Sequence, residues 1–183
     1  SRLIDRWTSG CLLIVGWEGE PAVVDALVAA GRPILEEDGE DLGPEPGERW
    51  LASRHAVSYN MMPVVEQGGF ADTMEVAIHW TGLLPLYEAV RAAVRPYAMC
   101  MAHMSHVYPE GGSIYFSFAG RGDRATYDAC WRAAQEAVLA AGGTVTHHHG
   151  VGQLKAPWAS AEVGPAIAGW RAPEWPASRA RAS

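Results

Sequence analysis

The run His147-His148-His149-Gly150-Val151-Gly152 sets three imidazoles side by side in the interior of the chain. Imidazole changes charge most readily near neutral pH, so it can take a proton, give one, or bind a metal. The glycines beside it leave room for a flat polar ligand to meet the backbone. Upstream, Tyr115 lies in a β-prone stretch. A phenol titrates near ~10 when unperturbed, and it works as an acid or base near neutrality only with a cationic or hydrogen-bonding neighbour. The histidines are suited to that task, although cross-strand packing is the commoner use of a strand tyrosine.

The elements that must position these groups are legible in outline. Residues 72–80 alternate cleanly: Met74, Val76, Ile78 and Trp80 on one face, Thr73, Glu75, Ala77 and His79 on the other. That is a half-buried strand, on which Glu75 and His79 are expected as solvated or weakly paired positions. Residues 83–94 read as a helix ended by Pro96. Residues 97–107 and 113–118 read as two strands joined at Pro109-Glu110-Gly111-Gly112, and residues 125–141 as a helix stopped by Gly142-Gly143. A last strand is expected over 144–147. Alternation on the first hairpin strand puts Met104, His106 and Tyr108 on one face, where packing or hairpin hydrogen bonding is the plainer role. Successive strand residues point to opposite faces, so three adjacent strand histidines do not converge on one ion. Zinc usually wants four ligands, and no metal site is expected.

Before this block, residues 11–17 form a short apolar run that reads as a buried strand. A helix opens at Pro21 and is expected to end at Gly31 and Pro33. Residues 37–48 are an acidic Gly/Pro loop, and residues 49–67 look irregularly helical. Arg54 is a candidate substrate contact, with a surface ion pair as its plainer role. Met61, Met62, Met101 and Met104 could line an apolar groove, though core filling is commoner. The sum of elements favours an α+β fold, a ferredoxin-like layer of helices on a mainly antiparallel sheet. It would occupy residues 1–163, with 164–183 as an irregular tail.

The composition fits one globular domain: 183 residues, 49% apolar and 19% charged. A formal charge of −7 disfavours nucleic acid and anionic membranes as partners. No segment approaches the ~18 apolar residues of a membrane span. Cys11, Cys100 and Cys130 read as buried free thiols, which with the lack of a secretory signal points to the cytoplasm. The chain opens on Ser1 rather than Met, as an excised piece of a longer protein would.

Taken in order, Ser105-His106-Val107-Tyr108-Pro109-Glu110-Gly111-Gly112-Ser113-Ile114-Tyr115-Phe116-Ser117-Phe118, a helix, and Gly142-Gly143-Thr144-Val145-Thr146-His147-His148-His149-Gly150-Val151-Gly152 resemble the FAD-linked oxidases of the vanillyl-alcohol-oxidase type. Within that family the likeness is to the alkylglycerone-phosphate synthase branch. Ile14-Val15-Gly16-Trp17-Glu18-Gly19, Gly47-Glu48-Arg49-Trp50 and Asp72-Thr73-Met74-Glu75 with Trp80 agree in order. The resemblance covers roughly residues 10–160. It implies a C-terminal substrate or cap domain whose FAD-binding domain lies elsewhere, in cis or in trans, and a small-molecule or lipid-like substrate. It implies Tyr115 and His149 as catalytic groups. His147, His148, Gly150 and Gly152 would face the flavin, and His106, Tyr108 and Arg54 the substrate. On this reading the isolated chain is catalytically incomplete. A homodimer through the uncovered flavin-side surface, or a non-catalytic binding module, is the alternative. The pattern departs from the family at Tyr59-Asn60-Met61-Met62, where an Arg and an Asp are replaced by Met, and in the tail after residue 164. An anionic substrate would lose a bidentate partner there.

Overall fold

A computed structural model describes residues 10–55 and 62–164. The chain divides into two compact units, Ser1–Asn60 and Met61–Ser183.

The first unit holds helices α1 (Pro21–Glu36) and α2 (Glu45–Ser53). Pro21 stands at the start of α1, where its missing N–H would have had no intrahelical partner anyway. The helix runs on through Gly31 and Pro33 to Glu36, past the expected stop. Inside a helix these residues impose a cost rather than a prohibition. Neither helix contains a fully buried residue. Residues 11–17 form no strand. A strand needs a neighbour to take its hydrogen bonds, and the described residues of this unit contain only helices and loops.

The second unit comprises α3 (Met62–Glu66), β1 (Gly69–His79), α4 (Trp80–Val94), β2 (Met99–Val107), β3 (Gly111–Arg121), α5 (Arg124–Ala140) and α6 (Gly152–Val163). The sheet has the order β1-β3-β2, with both pairings antiparallel. β1 and β2 therefore run the same way, joined through α4, while β2 and β3 make a hairpin. This is the β-α-β-β-α order of ferredoxin-like folds. The fourth strand of that pattern shrinks to one antiparallel bridge, Ala77 with Thr144, on the free side of β1. The expected strand over 144–147 is thus a bridge followed by a turn. Gly143, whose main chain passes too close to Leu86 and Val138 for any side chain, brings the backbone there.

One sheet face packs under α4 and α5. Met74, Val76, Ile114, Phe116 and Phe118 meet Leu86, Val90 and Val94 of α4 and Cys130, Trp131, Ala134 and Val138 of α5, all buried. Asp72 on the same strand is accommodated because Tyr127 Oη (2.5 Å) and Trp131 Nε1 (3.1 Å) donate to its Oδ2. Burial and that carboxylate push the Tyr127 phenol far above its usual range. α5 begins on Asp123, whose carboxylate accepts from the Thr126 N–H at 2.9 Å, a side-chain N-cap. Cys130 is buried and Cys100 half-buried, and burial pushes both thiols up to about 11. Cys11, expected to be buried, is exposed.

α6 follows the histidine turn and is not announced by the sequence pattern. Among the described residues no helix is long and apolar enough to cross a membrane. The Tyr59-Asn60-Met61 departure and residues 165–183 lie outside the described residues.

Candidate functional site

The sheet face away from α4 and α5 carries the ladder Glu75, Tyr115, His103: Glu75 pairs with Tyr115 across β1–β3, and Tyr115 with His103 across β3–β2. A register shift lies between Met104 and His106, so Met104 pairs with Ile114 while His106 pairs with Ser113. The extra residue rotates the strand, and His106 comes to the Tyr115 face. This corrects the expected grouping of His106 with Met104. The ring of His106 lies 6.3 Å from that of Tyr115 and 4.6 Å from that of His148. Tyr108 begins the hairpin turn, which Trp80 clamps by donating Nε1–H to the Tyr108 and Pro109 carbonyls at 3.0 and 3.1 Å. Its ring reaches His147 at 5.4 Å.

Glu75 organises the histidine run. It is fully buried, not solvated as strand alternation suggests, because the turn after Thr144 folds over it. Its Oε2 accepts the backbone N–H groups of His147, His148 and His149 at 3.0, 3.3 and 3.4 Å. Three successive N–H groups converging on one anion form a nest. Burial raises the carboxyl pKa, but the three N–H bonds and His148 outweigh it, and the net shift is downward. Lys155, buried on α6, donates Nζ–H to the Glu75 main-chain carbonyl at 3.1 Å. Burial lowers the Lys155 pKa, opposed by Glu75, Glu162 and Asp72. The turn is closed by Thr146 Oγ1–H donating to the Gly150 carbonyl at 3.1 Å, with Gly150 in the left-handed region at φ 77°. Gly150 and Gly152 thus shape the turn and the start of α6.

The side chains then meet. Tyr115 Oη and His148 Nε2 are 2.5 Å apart. His148 Nδ1 lies 2.9 Å from His147 Nδ1 and 3.3 Å from Glu75 Oε1. His149 packs edge-on to the Tyr115 ring at 5.1 Å. Desolvation and the neighbouring His106, His149 and His147 lower the His148 pKa, against the pull of Glu75. A neutral His148 can accept the Tyr115 hydroxyl proton at Nε2 while its Nδ1–H faces Glu75. That is the arrangement of hydroxyl, base and orienting carboxylate used to move a proton on and off a reacting group.

Of the residues expected to act, Tyr115, His106, Tyr108, His147, His148 and His149 are brought together. Arg54 lies in the first unit, where its guanidinium donates to the Leu51 carbonyl. Glu75, expected as a solvated or weakly paired position, joins them, as do Lys155 and His103, which were not among the expected site residues. Glu75 and Lys155 are brought in by the turn and helix that cover the strand, and His103 by the regular β2–β3 register that sets it opposite Tyr115, ahead of the bulge.

This fold is that of the C-terminal domain of FAD-linked oxidases. The family model described as "FAD linked oxidases, C-terminal domain" matches residues 5–171, and the chain belongs to that family. Among curated proteins, the alkyldihydroxyacetonephosphate synthase of Dictyostelium discoideum is 30% identical over 160 residues, covering 81% of this chain and 26% of that protein. The synthase of Trypanosoma brucei brucei is 26% identical over 162 residues, covering 80% and 26%. A solved alkyldihydroxyacetonephosphate synthase structure superposes with a TM-score of 0.61 at 24% identity, over 70% of this chain and 25% of that one. The chain thus spans about a quarter of the length of these relatives.

Proposed function

We propose that this chain is the substrate-facing part of a flavin-dependent oxidoreductase or alkyl transferase, resembling the alkyldihydroxyacetonephosphate synthases. It works with an FAD-binding domain, in cis or in trans, on a lipid-like substrate, and is catalytically incomplete without that domain. The observation that carries this reading is the 2.5 Å approach of Tyr115 Oη to His148 Nε2, backed by the buried Glu75. The ring faces of Tyr115, His106, His148 and His149 suit contact with the flat ring of a flavin. The ammonium of Lys155 is committed to the Glu75 carbonyl, and the cluster is better fitted to the flavin ring than to its phosphates. Bound FAD would supply electron-pair acceptance that no side chain of this site offers. In this reading Tyr115 holds or releases a proton at Oη, His148 takes it at Nε2, and Glu75 fixes the tautomer. His149, His106 and Tyr108 wall the substrate side.

The test pairs the chain with the FAD-binding part of the Dictyostelium relative and measures flavin retention and turnover. We expect no stoichiometric flavin on the chain alone, and turnover only in the pair. Tyr115→Phe should cut turnover by about 10²–10⁴-fold, the usual weight of acid–base catalysis, with flavin retention unchanged. Tight FAD binding by the chain alone would overturn its dependence on a second domain, and unaltered turnover in Tyr115→Phe would overturn the role of the phenol.

A second reading, a self-associating binding module, has its own support. The edge strand β2 exposes Met99, Met101, Met104 and Val107, an apolar edge that no strand among the described residues pairs with, of the kind that recruits another strand. Sedimentation of the chain would separate the two: a stable dimer broken by Met101→Lys favours the module, a monomer the incomplete enzyme.

A further inference from the structure

The histidine turn offers more than a wall. Glu75 Oε1, His147 Nδ1 and His148 Nδ1 lie within 4.8 Å of one another. Their separations are 2.9 Å between the two nitrogens, and 3.6 and 3.3 Å from the oxygen to His147 and His148. A tetrahedral ion with bonds of about 2.0–2.1 Å spaces its ligand atoms roughly 3.3–3.4 Å apart, a value these distances bracket. The argument from strand alternation against convergence does not apply, because residues 147–149 form a turn rather than a strand.

Independent of the ring geometry, Glu75 Oε1 points to a ligand. The side chain is fully buried, and Oε1 has no hydrogen-bond partner, whereas Oε2 accepts three N–H groups. Among the described residues, the ion-pair partners of this carboxylate are the His147 and His148 rings alone. A buried carboxylate oxygen without a partner is costly, and a cation is one way to satisfy it. The remaining nitrogen of His148 meets Tyr115 Oη, the outer hydrogen bond that metal-binding imidazoles usually have.

We propose that Glu75, His147 and His148 form a binding site for a divalent transition metal of the zinc class, with two imidazole nitrogens, one carboxylate oxygen and an open fourth position. This goes beyond the flavin reading and does not depend on it, and in the metal-bound chain His148 no longer serves as the base assigned to it above. Occupancy would hold His148 as the Nε2–H tautomer, so that it donates to Tyr115 instead of accepting from it.

The test titrates the tag-free 183-residue chain, stripped with chelator, with cobalt(II) and then zinc. The readout is the visible cobalt band, far stronger in four-coordinate than in six-coordinate sites. We expect one equivalent bound, four-coordinate cobalt, and displacement by zinc. His147→Ala, His148→Ala and Glu75→Gln should each weaken binding by about tenfold or more, while His149→Ala, which removes a histidine but no ligand, should not. Circular dichroism checks that each variant is folded, and Glu75→Gln keeps an oxygen acceptor for the turn. Absence of stoichiometric binding overturns the site. So does equal weakening in His149→Ala, which would mark a non-specific histidine tract, or a six-coordinate cobalt spectrum.

Discussion

At Glu75 a single side chain decides how the histidine run is used. Its Oε2 gathers three backbone N–H groups, so the turn over residues 146–149 is built on one charge. Hydrogen bonds to a charged group contribute about 1.5–3 kcal/mol each, and those here are partly open to water through exposed histidines. Glu75→Ala should therefore destabilise the chain by about 2–3 kcal/mol in urea unfolding, and Glu75→Gln, which keeps an acceptor, by clearly less. Equal losses would show that packing, not the carboxylate, holds the turn. The histidines, Tyr115, His106 and Tyr108 were visible in the sequence as residue types suited to proton transfer. Glu75 was not, because alternation alone places it on a polar strand face. Its burial comes from a turn 72 residues later in the chain, which no local pattern encodes.

Among the elements, those with regular periodicity were legible and those completed by tertiary contact were not. β1, α4, β2, β3 and α5 appear within a few residues of the expected bounds, because apolar alternation or a helical stripe marks each of them. α6 was missed: it starts at Gly152 and holds Pro157, both signals of non-helical chain, and only Lys155 in it is buried. The bulge in β2 was also invisible, yet it turns His106 toward Tyr115. α5 gives a pH prediction. Hydrogen bonds from the Thr126 N–H and hydroxyl lower the Asp123 pKa below the ordinary 3.8. The folded state thus holds this proton less tightly than the unfolded chain does. The stabilisation is fully present above about pH 4 and is lost as pH falls through the folded value. Thermal melts from pH 7 to pH 2 should show a steeper acid loss in the wild type than in Asp123→Ala. The two curves should converge at the acid end, and parallel curves would mean that the cap is not the charged form.

For the whole molecule, the two units differ in what they can sustain by themselves. The first has helices without a fully buried residue, and it exposes Leu12, Leu13, Val23, Leu27, Ile34, Trp50 and Leu51. Apolar surface left open in this way contributes little to stability. The second encloses Phe116, Phe118, Met74, Leu86 and Ile114 between three strands and two helices, all less than 2% exposed or close to it. Folding free energy must therefore reside in the sheet and its two covering helices. A fragment spanning residues 62–164 should unfold in one cooperative transition by both circular dichroism and tryptophan fluorescence, whereas a fragment of residues 10–55 should show none. Phe116, at 0% exposure and stacked near Tyr87 at 6.4 Å, is the sharpest probe of that core. Phe116→Ala should cost about 3–5 kcal/mol, a large share of the 5–15 kcal/mol typical of a domain, and should do so equally in the fragment and in the full chain. A markedly smaller loss in the full chain would mean that the first unit contributes stability of its own, and the division of labour drawn from burial would fail.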